Sequence, residues 1–94
     1  MAQSTALAAG ITAATSTDIV VAAGAVVIVG IFSAAAGELA AGVSFGVLQD
    51  TPGADNTIAS LDNYKRAHVI SGPGTFRVKR PAYTGTAFGV FIET

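Results

Sequence analysis

The stretch IVVAAGAVVIVGIFSAAAG, residues 19–37, is compatible with two different structures, and the fold class depends on which of them it adopts. Its nineteen residues carry no charge and are long enough to cross a membrane as one helix. The flanking charges, however, are Asp18 and Glu38 rather than lysine or arginine, and tryptophan is absent. β-Branched residues dominate its first half, and Gly24 and Gly30 divide it into pieces of strand length. We therefore predict strands here, with a single membrane span at 19–37 as an alternative.

Alternation and turn signals extend the strand pattern over the rest of the chain. In AVVIVGIFSA (25–34) apolar residues fall on both faces, which predicts a strand covered on both faces. VSFGVLQD (43–50) and AFGVFIET (87–94) alternate between two faces, and DTPGADN (50–56) is a strong turn signal. We therefore predict an all-β domain over residues 18–94, a small β-sandwich or a jelly-roll-like or barrel domain of about six to eight short strands.

The first seventeen residues, MAQSTALAAGITAATST, differ in composition from the rest of the chain. They are rich in alanine, threonine and serine, and they carry no charge. Their threonines, serines and Gly10 lower the helix propensity, and the basic start of a signal peptide is missing. We expect residues 1–17 to form an extended N-terminal arm that is ordered where it lies on another surface and that tethers the domain to a partner.

Low charge is the most unusual property of the composition. Charged residues make up 12% of the 94 residues, against about 25% in an ordinary soluble domain. Hydrophobic residues make up 51%, many of them alanine, and there are 11 glycines and no cysteine. A surface with so few charges is poorly protected against association. We therefore expect copies of the chain or a larger assembly to cover much of its surface.

Candidates for reactive chemistry are few. His68 is the single histidine and has no carboxylate or cysteine close to it in the sequence, which favours a structural or surface role over general-base catalysis. Asp50, Asp55 and Asn56 lie close together but lack the ligand spacing of a calcium loop, and turn chemistry accounts for them. No serine lies in a Gly-x-Ser-x-Gly elbow. The sequence therefore predicts a protein that is not an enzyme, with no catalytic, cofactor-binding or metal-ligating residues.

The charges of the chain are separated along the sequence. Residues 1–64 carry five acidic residues and no basic one, whereas residues 65–80 carry all five basic residues. In SGPGTFRVKRP (71–81) the alternation hides Phe76 and Val78, with Arg80 at the end of the same face, and turns Arg77 and Lys79 outward. This strand face is either solvated or a docking edge for an acidic protein surface. Nucleic-acid binding ranks third, because it would need more basic residues, exposed aromatic side chains and a positive net charge. The residues predicted for a protein interface are Arg77, Lys79, Arg80, Lys65 and Arg66.

Three segments together cover most of residues 18–94: TDIVVAAGAVVIVGIF (17–32), VLQDTPGADNTIASL (47–61) and SGPGTFRVKRPAYTGTAFGVF (71–91). They resemble the small β-sandwich proteins that decorate or cement the capsids of tailed bacteriophages. The resemblance lies in the general pattern of the sequence and in the segment made of GPGT, a strand and RP. No functional residue of the family can be assigned to a position of this chain. It implies a structural protein on the capsid surface, bound non-covalently to the major capsid protein or another virion protein. It also implies a homo-oligomer, with a trimer favoured.

Two other functions stay open at this point. One is a tail-, collar- or fibre-associated virion component with an adhesive role, and the other is the small membrane protein spanning at 19–37. No cofactor is expected. Neither nucleic acid nor a membrane is expected as a partner.

Overall fold

The uncharged stretch 19–37 forms two strands and a loop, as its β-branched residues predict. The computed structural model describes residues 2–94, and over this range the chain forms nine β-strands and no helix. The strands are β1 (Gln3–Gly10), β2 (Ala14–Thr15), β3 (Ile19–Val21), β4 (Val26–Phe32), β5 (Phe45–Gln49), β6 (Asn56–Leu61), β7 (Ala67–Ser71), β8 (Gly74–Arg80) and β9 (Phe88–Glu93). The predicted all-β class is confirmed.

The alternative of a membrane helix at 19–37 does not fit the structure, because β3 and β4 occupy that stretch. None of the described residues belongs to a helix with the length and hydropathy that a membrane crossing needs. Gly24 separates the two strands in a turn closed by a hydrogen bond of 3.0 Å from Ala25 N to Ala22 O. Its φ of 78° lies in the left-handed region that this turn position requires, which glycine adopts without strain.

The strands of residues 2–94 form two antiparallel sheets that pack face to face as a small sandwich. Sheet A has the strand order β1-β9-β4-β7. Sheet B has the order β2-β8-β5-β6, and β3 also pairs with β8. The turn at Gly24 therefore carries the chain from the edge of sheet B into the middle of sheet A.

The core lies between the two sheets and follows the period of two along the strands. β4 points Val27, Val29 and Ile31 inward, so the residues between them face outward. The largest fully buried side chains among the described residues are Phe45, Phe88, Leu39, Leu61, Val29, Val47, Val78 and Val90. Leu39 comes from the loop after β4, where the Asn63 side chain binds both its N–H and its C=O at 2.7 Å. This amide pair fixes the loop over one end of the core.

The outward side of β4 is not covered by another part of the described chain, although the sequence predicts a strand covered on both faces. Val26, Ile28 and Phe32 lie on the face of sheet A that points away from sheet B, and Val26 is 56% exposed. Within residues 2–94 no further layer covers this face, so the prediction that the strand is covered on both faces is wrong for the chain by itself. The sandwich has two layers, and a strand in it can bury one face only.

The described part of the predicted arm, residues 2–17, is extended and lies within both sheets. β1 pairs with β9 at the edge of sheet A, and β2 pairs with β8 at the edge of sheet B. Ala2 and Thr94 exchange two backbone hydrogen bonds of 3.0 Å, which join the start of β1 to the end of β9. The segment therefore contributes an edge strand to each sheet.

A buried serine preserves the pairing of β8 where the neighbouring edge strand is interrupted. Between β2 and β3, Ser16 N donates to Val78 O at 2.9 Å, and Val78 N donates to Ser16 Oγ at 2.9 Å. The hydroxyl thus takes the place of a backbone carbonyl. As a result, the edge of sheet B formed by β2 and β3 is irregular over residues 16–18.

Candidate interaction surface

The outer surface of sheet A is largely apolar. We call it the apolar face and define it by the outward side chains of three adjacent strands: Val26, Ile28 and Phe32 of β4, Val69 of β7, and Phe91 of β9. Val69 is 57% exposed, similar to Val26, and Ile28, Phe32 and Phe91 are half-buried. A contiguous apolar patch of this kind is typical of a site of protein association.

Two phenylalanines lie over glycines on the apolar face. The β4–β9 register places Gly30 opposite Phe91 and Phe32 opposite Gly89. A Cβ atom on Gly30 would overlap the Phe91 ring, and one on Gly89 would meet the backbone of β1 at Leu7 and Ala9 and lie 2.9 Å from Phe32 Cε1. The Phe91 ring therefore fills the space above Gly30, as in other sheets where an aromatic side chain covers a glycine, whereas Gly89 is covered by the β1 backbone together with Phe32. This arrangement makes the apolar face flatter.

A shallow depression of about 360 Å³ borders the apolar face at β1. Gln3, Ser4, Thr5, Phe32 and Phe91 line it. At its rim Gln3 Nε2 donates a hydrogen bond of 2.7 Å to Glu93 Oε1, and both side chains belong to paired residues of β1 and β9. The depression thus has apolar residues, Phe32 and Phe91, on one side and polar residues of β1 on the other. Apolar surface bordered by polar groups is the usual organisation of a protein interface.

Arg77 points outward from sheet B, as the alternation predicts, but the chain's own carboxylates surround it. Its guanidinium donates to Asp18 at 2.7 Å and to Asp55 at 2.8 Å, and lies 3.6 Å from Asp50. The hydrogen bonds to Asp18 and then to Asp55 raise the pKa of Arg77 above its ordinary value. Asp50 and Asp55 of the DTPGADN turn therefore bind an arginine of the same chain, which leaves little of the Arg77 charge for a partner.

Arg80 lies inside the protein and is 4% exposed. Its Nε donates to Thr12 O at 2.8 Å, and its Nη1 donates to Ala8 O at 2.8 Å and to Phe88 O at 2.9 Å. These bonds join β8 to β9, to β1 and to the loop after β1. Arg80 is a structural residue in this fold, because a partner surface cannot reach its guanidinium.

The other three basic residues lie on different parts of the molecule. Lys79 is exposed on the outer side of sheet B, opposite Gly46. Lys65 and Arg66 precede β7 of sheet A, and the Arg66 guanidinium lies 5.3 Å from the centre of the Phe88 ring. The five residues predicted for an interface therefore do not form one basic stripe. Contact of Lys65, Arg66 or Lys79 with a partner stays a prediction.

A second depression, of about 420 Å³, lies beside the loop after β4. The loop 38–44 lines one side and residues 62–64 the other, and Tyr64 at its rim is 99% exposed. Asp62 Oδ1 accepts hydrogen bonds from Tyr64 N at 2.8 Å and Lys65 N at 3.0 Å. The carboxylate is thus used by the turn itself.

His68 is half-buried on β7, opposite Val29. Burial, and to a smaller extent the charge of Lys65, lower the pKa of His68 below its ordinary value. In residues 2–94 no three His, Cys, Asp or Glu side chains come together as metal ligands would. The described part of the chain also has no buried side-chain nitrogen or oxygen without a hydrogen-bond partner. The apolar face is therefore the feature that calls for a functional explanation.

Comparison with known proteins gives no family for this chain. No family model, curated protein or solved structure matches it. The function is therefore argued from the surface and from the sequence resemblance.

The sequence contains part of the signal for the apolar face. The alternation of β4 places Val26, Ile28 and Phe32 on one side, but the same pattern fits a strand buried on both sides. The contribution of β7 and β9 depends on which strands are neighbours, and that order is a property of the folded sheet.

Proposed function

We propose that this chain is a structural virion protein that decorates or cements the outer surface of a tailed-phage capsid, and that it docks through its apolar face. The observation that carries the proposal is the presence of Val26, Ile28, Phe32, Val69 and Phe91 on one uncovered sheet surface. The low charge of the chain and the sequence resemblance support the same function. The partner would be the major capsid protein or another virion protein.

The size of the apolar face fits weak docking by each copy. β4 has seven residues and is therefore about 23 Å long, and three adjacent strands span about 10 to 14 Å, so the face offers about 300 Å². A standard interface buries about 800 Å² on each partner. One copy would therefore bind modestly, and repetition of the same contact over a symmetric shell would supply the stability of the whole coat.

Binding of this kind stabilises a shell by mass action. A ligand that binds the intact lattice and not its separated subunits shifts the equilibrium against rupture, by about 2.7 kcal/mol per site at a free concentration of one hundred times Kd. No catalytic group is needed for this effect. A patch of apolar surface that recognises the assembled lattice is sufficient.

The test is to locate and count the chain on purified particles of the virus that encodes it. Cryo-electron microscopy with an epitope label in the exposed turn 52–54 should show the label on the head, and quantitative mass spectrometry should give its copy number. Val26→Lys, which places a charge on the apolar face, should reduce occupancy by about tenfold or more, equivalent to at least 1.4 kcal/mol. A matched variant, Val20→Lys on the edge of sheet B, should leave occupancy unchanged, because Val20 is 74% exposed and lies on the other sheet.

The particle images also separate the alternatives. Label on the tail, collar or fibres would replace the capsid role by the adhesive one. Equal occupancy of the Val26→Lys and Val20→Lys variants would contradict docking through the apolar face. Absence of the chain from particles would contradict both virion roles.

A further inference from the structure

The four edges of the two sheets differ in regularity. Within residues 2–94, the register of β1 on β9 shifts twice, that of β6 on β5 shifts once, and the edge formed by β2 and β3 is interrupted at residues 16–18. Irregular edges of this kind resist pairing with another strand. β7 pairs with β4 over five consecutive residues without a shift. Among the described strands, β7 thus presents the regular edge.

Two backbone hydrogen bonds, one at each end of the β4–β7 pairing, show which residues of β7 direct their N–H and C=O groups toward β4. Gly72 N donates to Ala25 O at 3.0 Å, and Ile31 N donates to Arg66 O at 2.9 Å. Hydrogen-bonded residues alternate along an antiparallel pair, so even-numbered residues of β7 face β4. Ala67, Val69 and Ser71 therefore point their N–H and C=O groups away from the sheet. All three residues are exposed, and no strand of residues 2–94 pairs with this edge.

We propose that β7 pairs antiparallel with β7 of a second copy of this chain, with Val69 on the two-fold axis. Val69 would lie opposite Val69 of the second copy, and Ala67 opposite Ser71. Each opposed pair exchanges two backbone hydrogen bonds, so the junction has about six. The inference does not rest on the proposed virion role, since it concerns the isolated chain in solution.

Charge and proline select this orientation and register. A parallel arrangement would stack Lys65 and Arg66 on the same residues of the second copy. In the antiparallel one, the two copies of Lys65 lie eight strand positions apart, about 27 Å, which exceeds the screening length of about 8 Å at physiological salt. A register shifted toward the C-terminus would oppose Ala67 to Pro73, which has no N–H to donate. A shift toward the N-terminus would use Lys65 O, which already accepts a bond of 2.9 Å from Asp62 N.

The pairing would also join the two apolar faces. A two-fold axis perpendicular to sheet A turns both outer surfaces to the same side, so the four strands of each copy become one eight-stranded sheet. Val69 from each copy would lie at the junction, next to Ile28 of the adjacent β4. The combined face of about 600 Å² comes close to the share of about 800 Å² that one partner contributes to a standard interface. This gives a two-fold symmetric dimer, in contrast to the trimer that the resemblance implies.

Single cysteines test the register, because the chain has no cysteine of its own. Val69→Cys should form a disulfide-linked dimer under mild oxidation, because opposed hydrogen-bonded residues have Cα atoms about 5.5 Å apart, within the disulfide range. Ser71→Cys by itself should stay unlinked, because its two copies lie about 14 Å apart along the strand. A mixture of Ala67→Cys and Ser71→Cys chains should give the linked heterodimer. Thermal unfolding of each reduced variant checks that it folds.

Sedimentation of the cysteine-free chain tests the association itself. The wild-type chain should sediment as a dimer, Val69→Lys should be a monomer at the same concentration, and the matched Val20→Lys should remain a dimer. A wild-type monomer at the highest soluble concentration would overturn the proposal. So would an oligomer unaffected by Val69→Lys, or a Ser71→Cys chain that links to itself as readily as the Val69→Cys chain. None of these outcomes depends on where the chain lies in a virion.

Discussion

Replacement of Arg80 by methionine removes the charged group that joins β8 to three other segments. The side chain lies 4% exposed and donates to the carbonyl groups of Ala8, Thr12 and Phe88. Methionine keeps much of the volume and has no donor. The carbonyl groups would lose three bonds to a charged donor in a place that water enters poorly.

The expected loss of stability follows from these three bonds. A hydrogen bond to a charged group contributes about 1.5 to 3 kcal/mol, so the gross loss is about 4.5 to 9 kcal/mol. The variant no longer buries a guanidinium, which offsets several kcal/mol of that loss. We expect a net decrease of about 3 to 5 kcal/mol in the free energy of unfolding, near the lower end of the gross range, because three buried carbonyl groups are left without a donor. Because a domain of this length has about 5 to 14 kcal/mol in total, the variant should be close to unfolding.

Urea and thermal unfolding followed by circular dichroism measure this loss. A decrease of 3 to 5 kcal/mol corresponds to a fall in Tm of about 15 to 30 °C for a domain of this size. Hydrogen exchange adds a local readout, because Ala8 lies in β1 and Thr12 in the loop after it. We expect the amides of β1 to lose protection more than those of β5.

Two further variants control the experiment. Lys79→Met removes a neighbouring exposed charge and should change the free energy of unfolding by less than about 0.5 kcal/mol. Arg80→Lys keeps the buried charge but cannot reach three carbonyl groups with one ammonium, so it should also be less stable than wild type. A loss below about 1 kcal/mol in Arg80→Met would refute the reasoning, because it would mean that the three bonds contribute no net stability.

Three other changes test particular contacts. The free energy of unfolding should fall as the pH drops below about 6.5, the ordinary pKa of histidine. Burial and the charge of Lys65 lower the pKa of His68 in the folded chain, so the unfolded chain binds a proton at His68 more readily. His68→Gln should flatten this part of a pH series of urea midpoints, and an unchanged slope would contradict it. Ser16→Ala should cost about 1 to 3 kcal/mol in urea unfolding, because a buried N–H of β8 loses its acceptor, and a neutral effect would show that another acceptor replaces it. Gly30→Val should lower Tm and displace the Phe91 ring, visible as changed aromatic NMR shifts, since a Cβ there overlaps that ring; unaltered shifts would contradict the packing.

The sequence predicted the strands well where their pattern has a physical cause. Val27, Val29 and Ile31 share one side of β4 because side chains alternate along any strand, and Gly24 interrupts the apolar run because the turn needs a left-handed residue. The same alternation separates two of the residues predicted for an interface. Arg77 and Arg80 lie three positions apart on one strand, and alternation places one outside and the other inside.

β-Branched runs, turns and low charge specify the class of structure, which is a set of short strands with apolar sides. The charges and the apolar sides that remain available to a partner depend on how these strands pack. Arg77 binds Asp18 and Asp55, which are 59 and 22 residues away along the chain, and Arg80 binds Ala8 O at a separation of 72 residues. The apolar face likewise exists because β9, β4 and β7 are neighbours in sheet A. The alternation along a strand determines the face on which a side chain lies, whereas the packing of distant segments determines the groups that the side chain contacts.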